Sequence, residues 1–153
     1  MKVAGEIAIK APRAAVFDAL RDPRFFASCV EGVHDLTEID ATHYTAVFET
    51  TVAYMKFKFN VTVELTRVVP PSEIEARVEG VPLGVVGRLT ARSVTRLVDA
   101  GDATTVTYES ESTLAGKLGS IGQPVLRAKA REMEREFAKR LQAAFAPPVS
   151  EGP

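Results

Sequence analysis

The chain of 153 residues is long enough for one domain with a single well-buried core. Charged residues make up 25% of the sequence and the formal net charge is −1, so the overall charge indicates neither a nucleic-acid-binding protein nor a partner of acidic macromolecules. One cysteine excludes an internal disulfide, and no run approaches the ~18 apolar residues of a membrane span, so we expect a soluble cytoplasmic protein without a transmembrane segment.

The first part of the chain predicts a strand followed by two short helices. The stretch MKVAGEIAIK alternates apolar and polar residues, which is typical of a half-buried strand. In APRAAVFDALRD, Pro12 suits the first turn of a helix. Asp22 is a good N-cap and Pro23 a good first helical residue, so DPRFFASC predicts a second short helix, after which Gly32 favours a turn.

From Val33 to about Leu114 the hydrophobic pattern has a period of two. The clearest example is KFKFNVTVELTRV, where apolar residues alternate with charged or polar ones. A sheet with one buried face and one solvent-exposed face is typically antiparallel. The pattern predicts roughly six or seven such strands.

After AGKLGS the period becomes helical. One apolar stripe is formed by Leu126, Ala130, Met133, Phe137, Leu141 and Ala144. We expect Ser120 to cap this long helix, Pro124 to lie in its first turn, and Glu136 and Arg140 to pair on its exposed side. The sequence therefore predicts an α+β fold as a single domain over 1–146, followed by a disordered tail over 147–153.

A curved sheet wrapped around one long helix leaves a space between the two layers unless large side chains fill it. The last two predicted strands point small and hydroxyl side chains toward this space, which predicts an apolar cavity with a few hydrogen-bonding groups. Filling of the space by phenylalanines is the alternative. The candidate lining residues are Phe25, Phe26, Phe48, Phe59, Leu89, Ser93, Thr95, Ser110, Ser112, Met133 and Phe137. Phe25 and Phe26 are expected to form the lip, and the hydroxyl residues to orient a carbonyl or hydroxyl group of a ligand.

Three segments, GEIAIKAPRAAVFDALRDP, CVEGVHDL and LAGKLGSIGQPVLRAKAREMEREFAKRL, together resemble the carbon monoxide dehydrogenase G-subunit (CoxG) family. The matched residues are Gly5, Pro12, Val16, Phe17, Leu20, Asp22, Pro23, Cys29, Gly32, Leu36, Gly116, Lys117, Leu118 and Gly122. Glu31 departs from the family, which commonly has proline there, and Pro124 is unusual at the start of the last helix. The family belongs to the START/Bet v 1-like (SRPBCC) superfamily, which implies a helix-grip fold over essentially Met1 to Phe145.

The resemblance also implies a function. A CoxG-like chain is expected to be a non-catalytic accessory protein of a molybdenum hydroxylase-type, CO dehydrogenase-like enzyme. A quinone or lipid held in the cavity, with no cofactor, and peripheral contact with the inner face of the membrane would fit that role.

Catalysis has little support from the residues themselves. Cys29 and His34 are five residues apart with Gly32 between them, and we interpret Cys29 as a buried structural thiol. Two histidines and one cysteine without tight spacing predict no metal site. The carboxylates of the strands lie on the polar face, and we expect no buried acid in the cavity. An enzyme of the polyketide cyclase or dehydratase type is the alternative, and a buried acid, arginine or histidine within the cavity would favour it.

The C-terminal helix is basic. Between Lys117 and Phe145 there are seven Lys or Arg residues against three Glu, which indicates either a solvated face or a surface for anionic lipid or an acidic protein. The candidate partner-binding residues are Arg127, Lys129, Arg131 and Arg135. A pure docking or membrane-recruitment protein with a filled interior is the third hypothesis, and an exposed strand edge would permit a homodimer.

Overall fold

The computed structural model describes residues 1–146, so the predicted tail over 147–153 lies outside the described residues. Its elements are β1 (Lys2–Ile9), α1 (Arg13–Arg21), α2 (Pro23–Ser28), β2 (Val33–Glu38), β3 (His43–Val52), β4 (Met55–Val69), β5 (Glu73–Pro82), β6 (Gly87–Ala100), β7 (Ala103–Gly116), a 3₁₀ turn (Lys117–Ser120) and α3 (Gln123–Ala144). The strands form one antiparallel sheet in the order β1-β7-β6-β5-β4-β3-β2. The predicted α+β architecture, a curved sheet around a long C-terminal helix with two short helices after the first strand, is confirmed.

The starts of the two short helices follow from local side-chain chemistry. Pro12 stands at the N-cap position of α1, and its carbonyl accepts the first hydrogen bond of the helix from the N–H of Val16 at 3.2 Å. The Asp22 carboxylate accepts a hydrogen bond from the backbone N–H of Arg24 at 3.0 Å, and Pro23 is the first residue of α2. This confirms Asp22 as an N-cap, which satisfies one backbone donor that the helix leaves free.

The long helix begins later than expected. Ser120 is the last residue of the 3₁₀ turn, and its hydroxyl donates to the carbonyl of Lys117 at 2.6 Å, so the prediction that Ser120 caps α3 is wrong. Gly122 stands at the N-cap position instead, and Pro124 is the second helical residue, where a missing N–H costs little. The Glu136–Arg140 ion pair is present at 2.9 Å.

The packed core lies toward one end of the molecule. Leu141, near the end of α3, is fully buried and belongs to a cluster that includes Ile9 of β1 and Phe17 of α1. Farther toward the start of α3, Leu126 and Met133 are only half-buried although they lie on the same stripe. The helix therefore packs tightly on the core near its end, while its first half covers space rather than side chains.

Candidate functional site

Two adjoining cavities occupy the space between the sheet and α3. The end cavity, about 350 Å³, lies under the first half of α3 and beside the 3₁₀ turn. The central cavity, about 290 Å³, lies farther along α3 and is closed by α1 and α2. Met133 lines both. Their volumes are near the lower end of the range of about 300–1,000 Å³ that is typical of small-molecule sites.

The end cavity is built from aromatic and aliphatic side chains. Phe48 of β3 and Phe59 of β4 are direct cross-strand partners, and their rings stack with centroids 6.1 Å apart. Leu89 of β6 and Leu126 of α3 also face the space. Polar groups reach it from Thr50, Ser112, Thr113, Gln123 and Lys129.

The central cavity is more enclosed by the core. Phe26 of α2 and Phe137 of α3 pack together with ring centroids 5.2 Å apart, and both line the cavity. Aliphatic lining comes from Ile7, Leu20, Val63, Leu65, Ile74 and Val106. The polar lining residues are Arg21, Tyr44, Ser93, Thr95, Tyr108 and Glu134.

One hydrogen bond at the wall of the central cavity joins the sheet to α3. The hydroxyl of Tyr108, on β7, donates to Oε1 of Glu134, on α3, at 3.0 Å. Burial, reinforced by this carboxylate, raises the pKa of Tyr108 to about 12, so the phenol keeps its proton at neutral pH. The Tyr44 phenol also lines this cavity, and burial raises its pKa to about 12.

Glu134 corrects the expectation that the cavity holds no acid. The carboxylates of the strands indeed lie outside, but α3 supplies one from the other layer. The signal was available in the sequence: Glu134 is four residues after Ala130 and three before Phe137, both on the apolar stripe. Residues at these spacings share a helix face.

Most of the predicted lining residues come together around the two cavities. The end cavity takes Phe48, Phe59, Leu89, Ser112 and Met133, and the central cavity takes Phe26, Ser93, Thr95, Met133 and Phe137. Phe25 lines neither cavity, because it points toward the core and packs edge-on against Phe145 with ring centroids 6.1 Å apart. Ser110 shares the inward parity of β7 but also lines neither cavity.

The Cys29 thiol and the His34 imidazole lie in different environments, because the thiol is buried and the imidazole is exposed. Cys29 is 2% exposed, and burial raises the pKa of its thiol. His34 is on the surface, where its ring nitrogens lie 2.7 Å from Glu49 and 3.0 Å from Asp35. Both ring nitrogens are thus occupied by carboxylates. Residues 1–146 contain no group of three or more His, Cys, Asp or Glu side chains that could hold a metal ion.

The basic residues of α3 fall into two groups. Arg127, Arg131 and Arg135 recur every fourth residue and are exposed, and no ion pair within the described chain involves them. Lys129 does not share that face. Its side chain is 20% exposed, pairs with Glu132 at 3.7 Å and lines the end cavity.

A second surface, which we call the apolar end, lies next to the end cavity, whose lining includes Val52 at the end of β3. It consists of the β3–β4 turn and the β5–β6 loop, with exposed side chains from Tyr54, Met55, Leu83 and Val86. Ala53 and Tyr54 form the two-residue turn with φ of 48° and 70°, a conformation that normally selects Asn or Gly. The basic residues beside it are Lys56, Lys58, Arg88 and Lys117, and segments 52–58, 82–88 and 115–121 contain no acidic residue.

No helix within residues 1–146 combines the length and the apolar character that crossing a bilayer requires.

Known proteins share this architecture. The model of the carbon monoxide dehydrogenase G-subunit (CoxG) family matches residues 5–146. A conserved protein from Geobacillus kaustophilus is 27% identical, with a TM-score of 0.86 and 95% of each chain covered. A START superfamily protein from Mycobacterium smegmatis is 9% identical, with a TM-score of 0.68 over 94% of this chain and 96% of that one.

Another similar structure is the di-domain ARO/CYC BexL from the BE-7585A biosynthetic pathway. It is 16% identical, with a TM-score of 0.63 over 97% of this chain and 51% of that one. At such identities the two more distant structures show the fold alone. No curated protein matches the sequence significantly.

Proposed function

The chain belongs to the CoxG family, and on that basis we propose that it is a non-catalytic accessory protein of a molybdenum hydroxylase-type enzyme that binds a hydrophobic molecule, a quinone or a lipid, between its sheet and α3. The observation that carries this proposal is the pair of adjoining, mainly apolar cavities. They count against the hypothesis of a docking protein with a filled interior.

Binding would draw mainly on apolar burial, at roughly 25 cal/mol per Å² removed from water. Phe26 and Phe137 offer a ring-lined wall in the central cavity, and Phe48 and Phe59 offer one in the end cavity. Since Met133 lines both, movement of its unbranched side chain would connect them into one longer site.

The test is native mass spectrometry of the purified protein, organic extraction of any bound molecule, and titration with a short-chain quinone. We expect a lipophile to be bound or taken up, and Phe137→Ala to weaken the binding at least tenfold. Phe25→Ala is the matched control, because Phe25 packs on Phe145 and lines neither cavity. A ligand-free mass together with no binding of a short-chain quinone or of its hydroquinone contradicts the proposal.

The exposed arginines of α3 are the proposed contact with the dehydrogenase. Arg127, Arg131 and Arg135 form a row of positive charge that a complementary acidic surface would neutralise. We expect Arg131→Glu to abolish co-purification with the partner enzyme, while Arg92→Glu, the same charge reversal at an exposed residue of β6, leaves it intact. Equal co-purification of both variants would contradict this surface.

The apolar end is the proposed contact with the membrane. Its exposed side chains would enter the interface, and the four nearby cations would meet anionic headgroups, so the fit is to an anionic lipid surface. A bilayer at this end would also lie next to the end cavity, where a lipophile could pass between protein and membrane.

Co-sedimentation with phosphatidylglycerol vesicles tests this contact. Binding should weaken with salt, and Tyr54→Ser with Leu83→Ser should reduce it several-fold. The matched control is Ile39→Ser, since Ile39 is 64% exposed but lies in the β2–β3 connection at the other end of the strands. Unchanged sedimentation of the Tyr54/Leu83 variant would exclude this surface.

The Tyr108–Glu134 pair supports a second candidate, an enzyme of the polyketide cyclase or dehydratase type. A carboxylate and a phenol facing one apolar cavity are groups that acid–base chemistry uses. This candidate requires product formation from a linear polyketone, with loss of that product in Glu134→Gln. No turnover by the wild type would exclude this proposed activity.

A further inference from the structure

We propose that the Tyr108–Glu134 pair recognises a hydroxyl group, so that the central cavity selects lipophiles whose polar end donates a hydrogen bond, such as phenols, alcohols or hydroquinones, over those whose polar groups only accept. The inference rests on the proposed binding function and specifies the chemistry of the ligand's polar end.

The pair is held from both layers of the fold. Tyr108 projects from β7 and Glu134 from α3, and their oxygens are 3.0 Å apart at the wall of the central cavity. Gly5, the cross-strand partner of Tyr108, carries no side chain that would block the phenol. Within residues 1–146, Glu134 is the one carboxylate that lines this cavity.

Counting donors and acceptors gives the selectivity. A phenol has one proton, and Tyr108 uses it on Glu134. The pair then offers a ligand only hydrogen-bond acceptors, which are the lone pairs of the Tyr108 oxygen and the remaining acceptor positions of the Glu134 carboxylate. A ligand hydroxyl can donate to these atoms, whereas a carbonyl or ether oxygen would face other lone pairs. The raised pKa of Tyr108, about 12, keeps this arrangement in place at neutral pH.

The other polar groups of the central cavity do not reverse this preference. The hydroxyls of Tyr44, Ser93 and Thr95 can donate or accept, so they serve either kind of ligand. Arg21 only donates, but it is an exposed residue at the surface end of α1. Discrimination therefore depends on the Tyr108–Glu134 pair.

The experiment compares two probes of similar shape, 1-naphthol and 1-methoxynaphthalene, by calorimetric titration of the full chain. We expect the naphthol to bind on the order of tenfold or more tightly, since an acceptor that the bound ligand covers without offering a donor stays unsatisfied. Glu134→Gln should remove most of the difference, because the amide can donate as well as accept and is close to isosteric.

Glu132→Gln is the control, because Glu132 is exposed, pairs with Lys129 and does not line the central cavity. Wild-type protein that binds both probes equally overturns the hydroxyl selectivity and leaves the binding function standing. A preference that survives in Glu134→Gln overturns the assignment to this pair. Failure to bind either probe or a quinone overturns the proposed binding function as well.

Discussion

The ring of Tyr108 lies across Gly5, its direct partner on the neighbouring strand. A β-carbon on Gly5 would overlap the phenolic oxygen and stand 2.7 Å from Cζ of Tyr108. Glycine at this position thus allows the phenol to cross β1 and reach Glu134 on α3. The same glycine is among the residues that carry the family resemblance.

Gly5→Ala should therefore destabilise the protein. We expect a loss of about 1–3 kcal/mol in the free energy of unfolding, measured by urea denaturation, because the ring must move or the strands must separate. In a Tyr108→Ala background the same change should cost less than about 0.5 kcal/mol, since the overlap is gone. Gly80→Ala is the control, because its β-carbon would meet Phe59 at 3.4 Å, an ordinary contact. Equal losses with and without the Tyr108 ring would contradict the explanation.

The two halves of α3 should respond differently to the same truncation. Leu141 is fully buried in the core, so Leu141→Ala should cost about 2–5 kcal/mol of unfolding free energy. Leu126 is half-buried over the end cavity, so Leu126→Ala should cost less than half as much. Thermal or urea denaturation measures both. Similar losses would mean that the first half of the helix packs as closely as the second.

Cys29 should be chemically inert in the folded protein. It is 2% exposed, and burial raises the pKa of the thiol, so little thiolate is present or accessible at pH 8. We expect the reaction with a thiol reagent such as DTNB to be at least a hundredfold slower in the native protein than in denaturing urea. Rapid modification of native protein would restore Cys29 as a candidate reactive group.

His34 should titrate above its ordinary range. The neighbouring carboxylates of Glu49 and then Asp35 raise its pKa above the usual value of 6.5. A group whose pKa is raised on folding stabilises the protein while it is protonated, so this contribution is complete below pH 6.5 and disappears as the pH rises through the folded-state pKa. NMR titration should show the raised pKa in the wild type and a lower one in Glu49→Gln. Glu111→Gln, on β7, should leave it unchanged.

The fold was predictable because neighbouring signals agreed. The alternation in β4 placed Phe57, Phe59 and every second residue after them on the inward face. Asp22 and Pro23 marked the start of α2. The prediction that Ser120 caps α3 failed because serine suits several local roles. Here its hydroxyl donates to the carbonyl of Lys117 within its own turn. Whether Ser120 caps α3 or bonds within the preceding turn depends on where the 3₁₀ turn lies.

The site was less predictable, for reasons of geometry. Phe25 and Phe26 are consecutive in a helix and so point about 100° apart, and the sequence does not say which faces the cavity. The sequence prediction considered only the carboxylates of the strands and overlooked Glu134, although its spacing from Ala130 and Phe137 places it on the inner face of α3. The separation of the space into two cavities depends on side chains such as Met133, whose position no periodicity determines.

The order of the strands also determines when the sheet can be completed during synthesis. From β2 to β7 each strand pairs with the next one in the chain, so these hairpins can form as they emerge from the ribosome. β1 precedes them all but pairs with β7, bringing Lys2 opposite Glu111. It must therefore wait, with Ile7 and Ile9 uncovered, until β7, the last strand, has been made. A nascent chain that stalls before β7 presents an unpaired apolar strand, which chaperones or other nascent chains can bind.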